Sequence, residues 1–329
     1  MDEHEPDDRQ TGSVMSGRVF KKTVGTYFVH ADGGTVVCSI SNRLRKELIY
    51  PFADPSSRRP SVDTVKSIRT VDPVAIGDVV LFVCAGDETG MIKEVLPRKN
   101  KFSRKAAGDK PIEQVVVANM DQIIPVIAAA HPAPKWALLD RYLADAESAE
   151  LDAIVCITKM DLVDVDRLEE ELRMFEGIGY KVVRTSALTG GGMDEFRNVL
   201  KDKVSVLVGK SGVGKTTLLN AIQPGLGLRV SEVSESTDKG KHTTSHLEMF
   251  ALDFGGSVID TPGMREFGLF GDSDVELASL FREMRPFIGQ CRFGASCTHT
   301  HEPDCAIKQA VEAGRISERR YKSYVRLRR

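Results

Sequence analysis

The nucleotide motifs of this chain stand in an order that constrains how its strands can connect. A guanine-type signature, Thr158-Lys159-Met160-Asp161, precedes the phosphate-loop pattern Gly209-Lys210-Ser211-Gly212-Val213-Gly214-Lys215-Thr216. In the usual guanine-nucleotide domain the phosphate loop comes first. Both halves of one site are present, so the site closes only if its connections are circularly permuted. The phosphate-sensing segments then fall last and run into the C-terminal region.

The phosphate-loop pattern follows the apolar run 204–208 and precedes the helix-like stretch 217–222, which gives strand, loop and helix in sequence. In that context the glycines let successive backbone N–H groups face phosphates, Thr217 joining them at the helix start. Lys215 reaches the β and γ oxygens, and the Thr216 hydroxyl ligates magnesium. Downstream, the strand-like run 256–259 delivers Asp260-Thr261-Pro262-Gly263. This pattern suits a carboxylate held near magnesium and a glycine N–H close to the γ-phosphate. The polar stretch 231–245 between them reads as a first switch, in which either Thr243 or Thr244 completes the magnesium shell.

Base choice rests on two strand ends. Asp161 accepts both guanine N–H donors, whereas adenine would leave that carboxylate poorly satisfied. Lys159 lies along the base plane, and in Thr185-Ser186-Ala187-Leu188 the Ala187 N–H is placed to donate to guanine O6. Thr158 occupies the position where the usual signature has asparagine. That exchange is expected to loosen the tie between base loop and phosphate loop while leaving Asp161 intact.

A chain of 329 residues with 41% hydrophobic content is long enough for two or three domains with their own cores. No apolar run reaches membrane-spanning length, and the start, Met1 to Asp8, is acidic, unlike a signal peptide. A cytoplasmic protein is expected. The formal net charge of −2 conceals two basic stretches, 98–105 and 319–329, which suggest a polyanionic partner.

Short β-rich runs at 17–22, 25–30, 35–40, 78–83 and 90–95 predict a five-stranded barrel of OB type. Lys21, Lys22, Tyr27 and Phe28 offer charge and stacking for nucleic acid. The alternative is that Tyr27 or Phe28 belongs to the core and the barrel docks protein. Residues 50–66 are expected to form a long loop. Toward the C-terminus, Cys291, Cys297, His299 and Cys305 form a ligand set suited to a closed structural zinc site, with His301 as a rival to His299. Cys38, Cys84 and Cys156 sit singly in apolar runs and read as free thiols.

Taken together, these motifs resemble the RsgA (YjeQ) family, the bacterial circularly permuted GTPases dependent on the small ribosomal subunit. The likeness runs through nearly the whole chain from Gly17 and includes Ala118-Asn119-Met120-Asp121-Gln122 and Gly240-Lys241-His242-Thr243-Thr244. It also takes in the run from Asp260 to Gly268 and the Cys/His cluster. It departs from the family at Thr158 and at the Cys291–Cys297 interval, which holds one residue more than the commoner spacing. The resemblance implies a multidomain chain. The parts would be an acidic leader (1–15), an OB-fold barrel (16–97), a basic linker (98–111), a permuted α/β P-loop GTPase domain (112–270) and a small helical zinc-binding domain (271–329). It further implies binding of the 30S subunit and its 16S rRNA late in assembly by a monomer, with GTP hydrolysis stimulated by the ribosome. Met264 stands where Ras-like enzymes place a water-orienting glutamine, so unassisted hydrolysis should be slow. His242, matching the family's switch histidine, is the candidate for that task, with Lys215 as the phosphate-side catalytic group. Two other classes remain open on sequence: a P-loop ATPase with a zinc module, and a nucleotide-gated RNA-binding scaffold with negligible turnover.

Overall fold

Period-two alternation in the N-terminal runs puts every second side chain on one face, and that face closes into a barrel. The computed structural model describes residues 13–42, 44, 73–85, 88–105, 113–164, 166–226, 247–260 and 276–328. Its first five strands are β1 (Val14–Thr23), β2 (Thr26–Ala31), β3 (Gly34–Ile40), β4 (Val79–Cys84) and β5 (Thr89–Val95). They run in the order β1-β2-β3-β5-β4, and β4 returns antiparallel to β1, with Val14 opposite Val83 and Arg18 opposite Val79. This is the closed five-stranded barrel expected from the sequence. Val19, Tyr27, Val29, Val36, Cys38, Val80, Phe82 and Ile92 fill its interior. Tyr27 is therefore core. Phe28 lies half-buried outside, edge-on to Phe20 with 6.3 Å between ring centroids and with Lys21 Nζ 5.8 Å from its ring. Lys22 is engaged with the Val74 carbonyl at 2.9 Å. The expected loop at 50–66 and most of the acidic leader fall outside the described residues.

The stretch 98–111, expected to be a basic linker, contains a strand. β6 (Lys101–Lys105) pairs antiparallel with β7 (Glu113–Ala118). Arg98, counted in the basic run, is bound to Asp78, which is fully buried: its Nε lies 2.7 Å from Oδ1 and its Nη2 2.8 Å from Oδ2. The pair pins the ribbon to the barrel.

The central sheet is built from β8 (Gln122–Ala128), β9 (Asp152–Thr158), β10 (Lys181–Arg184), β11 (Val204–Val208), β12 (Glu248–Ala251) and β13 (Ser257–Asp260). Its order is β10-β9-β8-β11-β13-β12, parallel throughout except for β12. β8 is buried along its whole length, as a strand covered by helices on both faces must be. Four helices belong to this part among the described residues: α1 (Trp136–Ser148), α2 (Asp166–Gly177), α3 (Met193–Leu200) and α4 (Lys215–Ile222). The parallel strands put the ends of β9, β10, β11 and β13 on one edge, where ligands of open α/β sheets sit. β12 also pairs with β1, through Lys21 opposite Glu248 and an ion pair at 3.1 Å, so barrel and central sheet share one continuous β layer.

The C-terminal part comprises short 3-10 turns, then α5 (Ala306–Glu312) and α6 (Glu318–Leu327). It rides on α1. Leu139, Tyr142, Leu143 and Ala146 of that helix face the central core, and Ala144 packs into the C-terminal cluster. Asp140, fully buried, accepts from Arg319 Nη1 at 2.7 Å and Arg320 Nη1 at 2.8 Å. Arg320 also forms a forked pair with Glu283, at 2.6 and 3.0 Å. Glu147 binds Arg282 and Arg285. No helix among the described residues is long and apolar enough to cross a membrane.

Asp145, also on α1, has no hydrogen-bond partner for either oxygen among the described residues. Burial raises its pKa to about 7, with Arg141 opposing the shift. The folded form thus holds the proton more tightly than the unfolded chain. Stability falls as pH climbs from about 4, the free aspartate value, and the loss is complete above the folded value of about 7. Asp145→Asn should stabilise the protein by on the order of 2 kcal/mol at pH 8 and little at pH 4. Urea midpoints at the two pH values measure this; an equal gain at both would refute it.

Candidate nucleotide site and metal cluster

Four strand ends supply the site. β11 ends at Val208 and leads into the loop 209–214, whose close quarters call for glycine. A Cβ on Gly209 would lie 2.5 Å from the Val126 carbonyl oxygen, and Gly214 has φ +95°, a region L side chains rarely adopt. Lys215 opens α4 almost fully buried, and its ammonium donates to the Gly209 carbonyl at 2.7 Å. Burial lowers its pKa, and the nearby Asp260 carboxylate opposes that shift. Asp260 ends β13 opposite Leu207 of β11, beside the phosphate loop. Thr216 is half-buried and Thr217, Lys210 and Ser211 are exposed at the loop and helix start, while Val213 is core.

β9 brings the base signature against this loop. Thr158, expected to loosen the connection, makes it. Its hydroxyl donates to the Val213 carbonyl at 2.5 Å, and Lys159 Nζ donates to the Gly212 carbonyl at 2.8 Å. A second bond runs from Lys159 Nζ to the His131 carbonyl. A threonine hydroxyl thus supplies the donor for which asparagine would use an amide. Lys159 itself has φ 58°, the left-handed turn that swings the chain from β9 into the 3-10 turn Met160–Leu162. Asp161 sits exposed in that turn, its Oδ1 accepting from the Ser186 hydroxyl at 2.5 Å. Ala187 follows Ser186 in the loop after β10 and is half-buried. Met160 N–H donates to the Thr185 carbonyl at 3.2 Å, closing the two base-side loops on each other. Thr158→Val keeps the shape but strands the buried Val213 carbonyl at about 1–2 kcal/mol. Guanine-nucleotide affinity should fall roughly five- to thirtyfold, and titration with a fluorescent GDP analogue measures it; unchanged affinity would show that the bond does no work.

The phosphate-side and base-side residues thus meet as expected. His242, Thr243, Thr244 and Gly263 lie outside the described residues. Sequence reasoning passed over the Val213, Gly212 and His131 carbonyls, because a backbone acceptor leaves no trace in residue type.

A second cluster forms at the far end of the chain. Cys291, Cys297, His299 and Cys305 are all buried, with one ligand atom of each within 4.8 Å of the others. Cys291 Sγ and Cys305 Sγ are 3.7 Å apart, and His299 Nδ1 is 3.4 Å from each. A tetrahedron with metal–sulfur bonds of about 2.3 Å and metal–nitrogen bonds of about 2.0 Å has edges of roughly 3.8 and 3.5 Å, so the thiol and imidazole donors fit a metal such as zinc. The longer Cys291–Cys297 interval is taken up by the 3-10 turn Gly294–Ser296. His301 is exposed and bonded to Thr300, which leaves His299 as the inward histidine. Tyr321 and Tyr324 of α6 donate to the His299 and Thr298 carbonyls at 2.7 and 2.8 Å, and Glu302 accepts from the Thr298 and Thr300 N–H groups. On its outer side His299 Nε2 lies 3.2 Å from Glu276 Oε1, the carboxylate partner that metal-ligating histidines commonly have.

Comparison with known proteins agrees with this geometry. The RsgA GTPase family model matches residues 95–270. The "Small ribosomal subunit biogenesis GTPase RsgA" of Caldanaerobacter subterraneus subsp. tengcongensis is 37% identical over 313 residues, covering 95% of this chain and 94% of that relative. Among solved structures, YjeQ from Thermotoga maritima superposes with a TM-score of 0.70 at 32% identity, covering 96% of this chain and 97% of that one. YloQ, described as a circularly permuted GTPase, gives 0.67 at 28% identity, with 97% and 96% covered. On this sequence and structural likeness, with phosphate and base motifs meeting in permuted order, the chain belongs to the RsgA GTPase family and is a GTP hydrolase.

Proposed function

We propose that this GTPase acts on the small ribosomal subunit during its late maturation, holding it in the GTP form and leaving after hydrolysis. The observation that carries the guanine-nucleotide part is the contact of Thr158 and Lys159 with the phosphate-loop carbonyls, which joins base reader and phosphate binder despite their reversed order. The ribosomal partner rests on the names of relatives similar over nearly their whole length.

In this reading Asp161 takes the guanine N–H pair, Lys159 lies along the base and Ala187 N–H donates to O6, with Ser186 fixing the Asp161 carboxylate. Backbone N–H groups from Gly209 to Thr217 cradle the phosphates, and Lys215 exchanges its bond to Gly209 for β and γ oxygens. Thr216, Asp260 and Thr243 (or Thr244) supply the hard oxygen donors that magnesium prefers, and the ion would neutralise charge on the departing phosphate. Gly263 N–H meets the γ-phosphate. His242, ordered by ribosomal RNA, orients the attacking water in place of the glutamine that Met264 does not provide.

Cys291, Cys297, His299 and Cys305 would hold one zinc ion, which would serve structurally because four protein ligands leave no open position. Glu276, whose carboxylate lies 3.2 Å from His299 Nε2, follows Asp260 by 16 residues in the chain, a covalent connection through which loss of the γ-phosphate would reach the C-terminal surface. Barrel (16–97), basic linker (98–111), GTPase domain (112–270) and zinc domain (271–329) together form the ribosome-facing unit, a cytoplasmic monomer bound to 16S rRNA. Co-sedimentation with purified 30S subunits tests the partner. Retention with a non-hydrolysable GTP analogue and release with GDP is expected; equal behaviour with both nucleotides would refute nucleotide gating. His242→Ala should lose subunit-stimulated turnover while still co-sedimenting, and undiminished turnover would remove His242 from the mechanism.

A further inference from the structure

A groove of about 600 Å³ opens between the start of α1 and one face of α6, and its charged lining is entirely basic. Lys135, at the N-cap of α1, and Arg141 of α1 line one side, and Arg319, Lys322 and Arg326 of α6 the other. The last three recur at i, i+3 and i+7, so they form a stripe about 10 Å long on one helix face. The protein carries a formal charge of −2, so this concentration is local rather than a reflection of overall composition.

The cations differ in what occupies them. Arg319 is tied to Asp140 and Glu171, although its Nη2 has no hydrogen-bond partner among the described residues. Arg141 is half-buried and near enough to the buried Asp145 to oppose the rise in its pKa. Lys322 pairs with Glu318 one turn back at 2.8 Å, but both side chains are well exposed, so the pair is worth little. Lys135 and Arg326 are exposed and have no ion pair among the described residues. The first turn of α1 adds the positive end of a thirteen-residue helix and contains no acidic residue.

We propose that this groove is a docking surface for the sugar-phosphate backbone of ribosomal RNA. The proposal rests on the small-subunit reading above and names a surface through which it operates. Backbone rather than base is indicated by the one aromatic present: the Trp136 ring packs against Phe175 at 6.0 Å and Arg319 at 5.9 Å, so it is already engaged in packing rather than offered to a base. The three exposed cations, Lys322 and Arg326 about 6 Å apart along α6 and Lys135 across the groove, are more than a single phosphate engages, and each alone holds an anion weakly in water. A polyanion engages several at once and gains by releasing counterions. The Asp140–Arg320–Glu283 network beneath keeps α6 fixed against α1, so the stripe is presented on a rigid base.

The test is the triple variant Lys135→Ala, Lys322→Ala, Arg326→Ala in the full chain, leaving the clamped Arg319 and the half-buried Arg141 untouched. Purified 30S subunits and protein-free 16S rRNA are the probes, each titrated between 50 and 200 mM salt. Affinity for both should fall about tenfold or more, and the slope of log K against log salt should flatten by about two to three. GDP affinity and subunit-free GTP hydrolysis should not change. A charge-preserving variant, Lys135→Arg, Lys322→Arg, Arg326→Lys, should bind like the wild type. Unchanged affinity and slope in the alanine variant would overturn the groove alone. Loss in the charge-preserving variant would also overturn it, as would a loss seen with subunits but not with bare rRNA, which would make the partner a protein. Failure of the wild-type chain to bind subunits would overturn the small-subunit reading itself.

Discussion

Asp161→Asn should weaken GTP and GDP binding by on the order of 10²- to 10⁴-fold, because it replaces a charged acceptor of two N–H donors worth about 1.5–3 kcal/mol each. The exchange also turns one carboxylate oxygen into an amide donor. That donor would meet the exocyclic amine of guanine unfavourably but the C2 carbonyl of xanthine favourably. The variant should therefore prefer xanthosine to guanosine diphosphate, while the fold is untouched, since Asp161 is exposed and its one described side-chain bond is to Ser186. Competition against a fluorescent guanine nucleotide measures both effects. Equal loss for both nucleotides would mean that Asp161 supports the loop and does not read the base.

Asp140→Ala should cost about 3 kcal/mol of stability. The carboxylate is fully buried between two arginines, and its removal leaves Arg320, 1% exposed, with only Glu283. Burial alone would lower the Arg320 pKa, and Glu283 and Asp140 hold it above the usual arginine value; with Asp140 gone the guanidinium still keeps its charge, as arginine does in proteins. The damage should concentrate where α6 meets α1. Hydrogen exchange in α6 should accelerate far more than in the strands β8 and β11, and small-subunit binding should suffer while GDP affinity persists. Uniform exchange across both regions would show that the C-terminal part is not seated through this network.

Much of the nucleotide site was legible because phosphate binding restricts residue type. Gly209 and Gly214 are demanded by backbone approach and positive φ, and Lys215 by charge. The barrel was legible through alternation, which survives as the inward set Tyr27, Val29, Val36, Cys38, Val80 and Phe82. What escaped were partners that sequence does not label. Thr158 looked like a weakness until a backbone carbonyl, that of Val213, proved to be its acceptor. Arg98 read as part of a basic run for a polyanionic partner, yet it satisfies a carboxylate 20 residues earlier in the chain. His299 and His301 were equivalent on spacing. They separate because His299 adopts φ 58° and is held by Tyr321 from a helix more than 20 residues away. The double duty of α1, apolar toward the central sheet and acidic toward α6, carries no motif, because it rests on arginines more than 170 residues away in the chain.

The most direct single measurement is phosphate release from GTP by the purified full-length chain, with and without 30S subunits, beside an ATP control. Subunits should raise GTP turnover on the order of a hundredfold, the scale expected when a water-orienting group is brought into place, and ATP should remain uncleaved in both conditions. Equal rates with and without subunits, or comparable cleavage of ATP, would contradict the partner or the base assignment respectively.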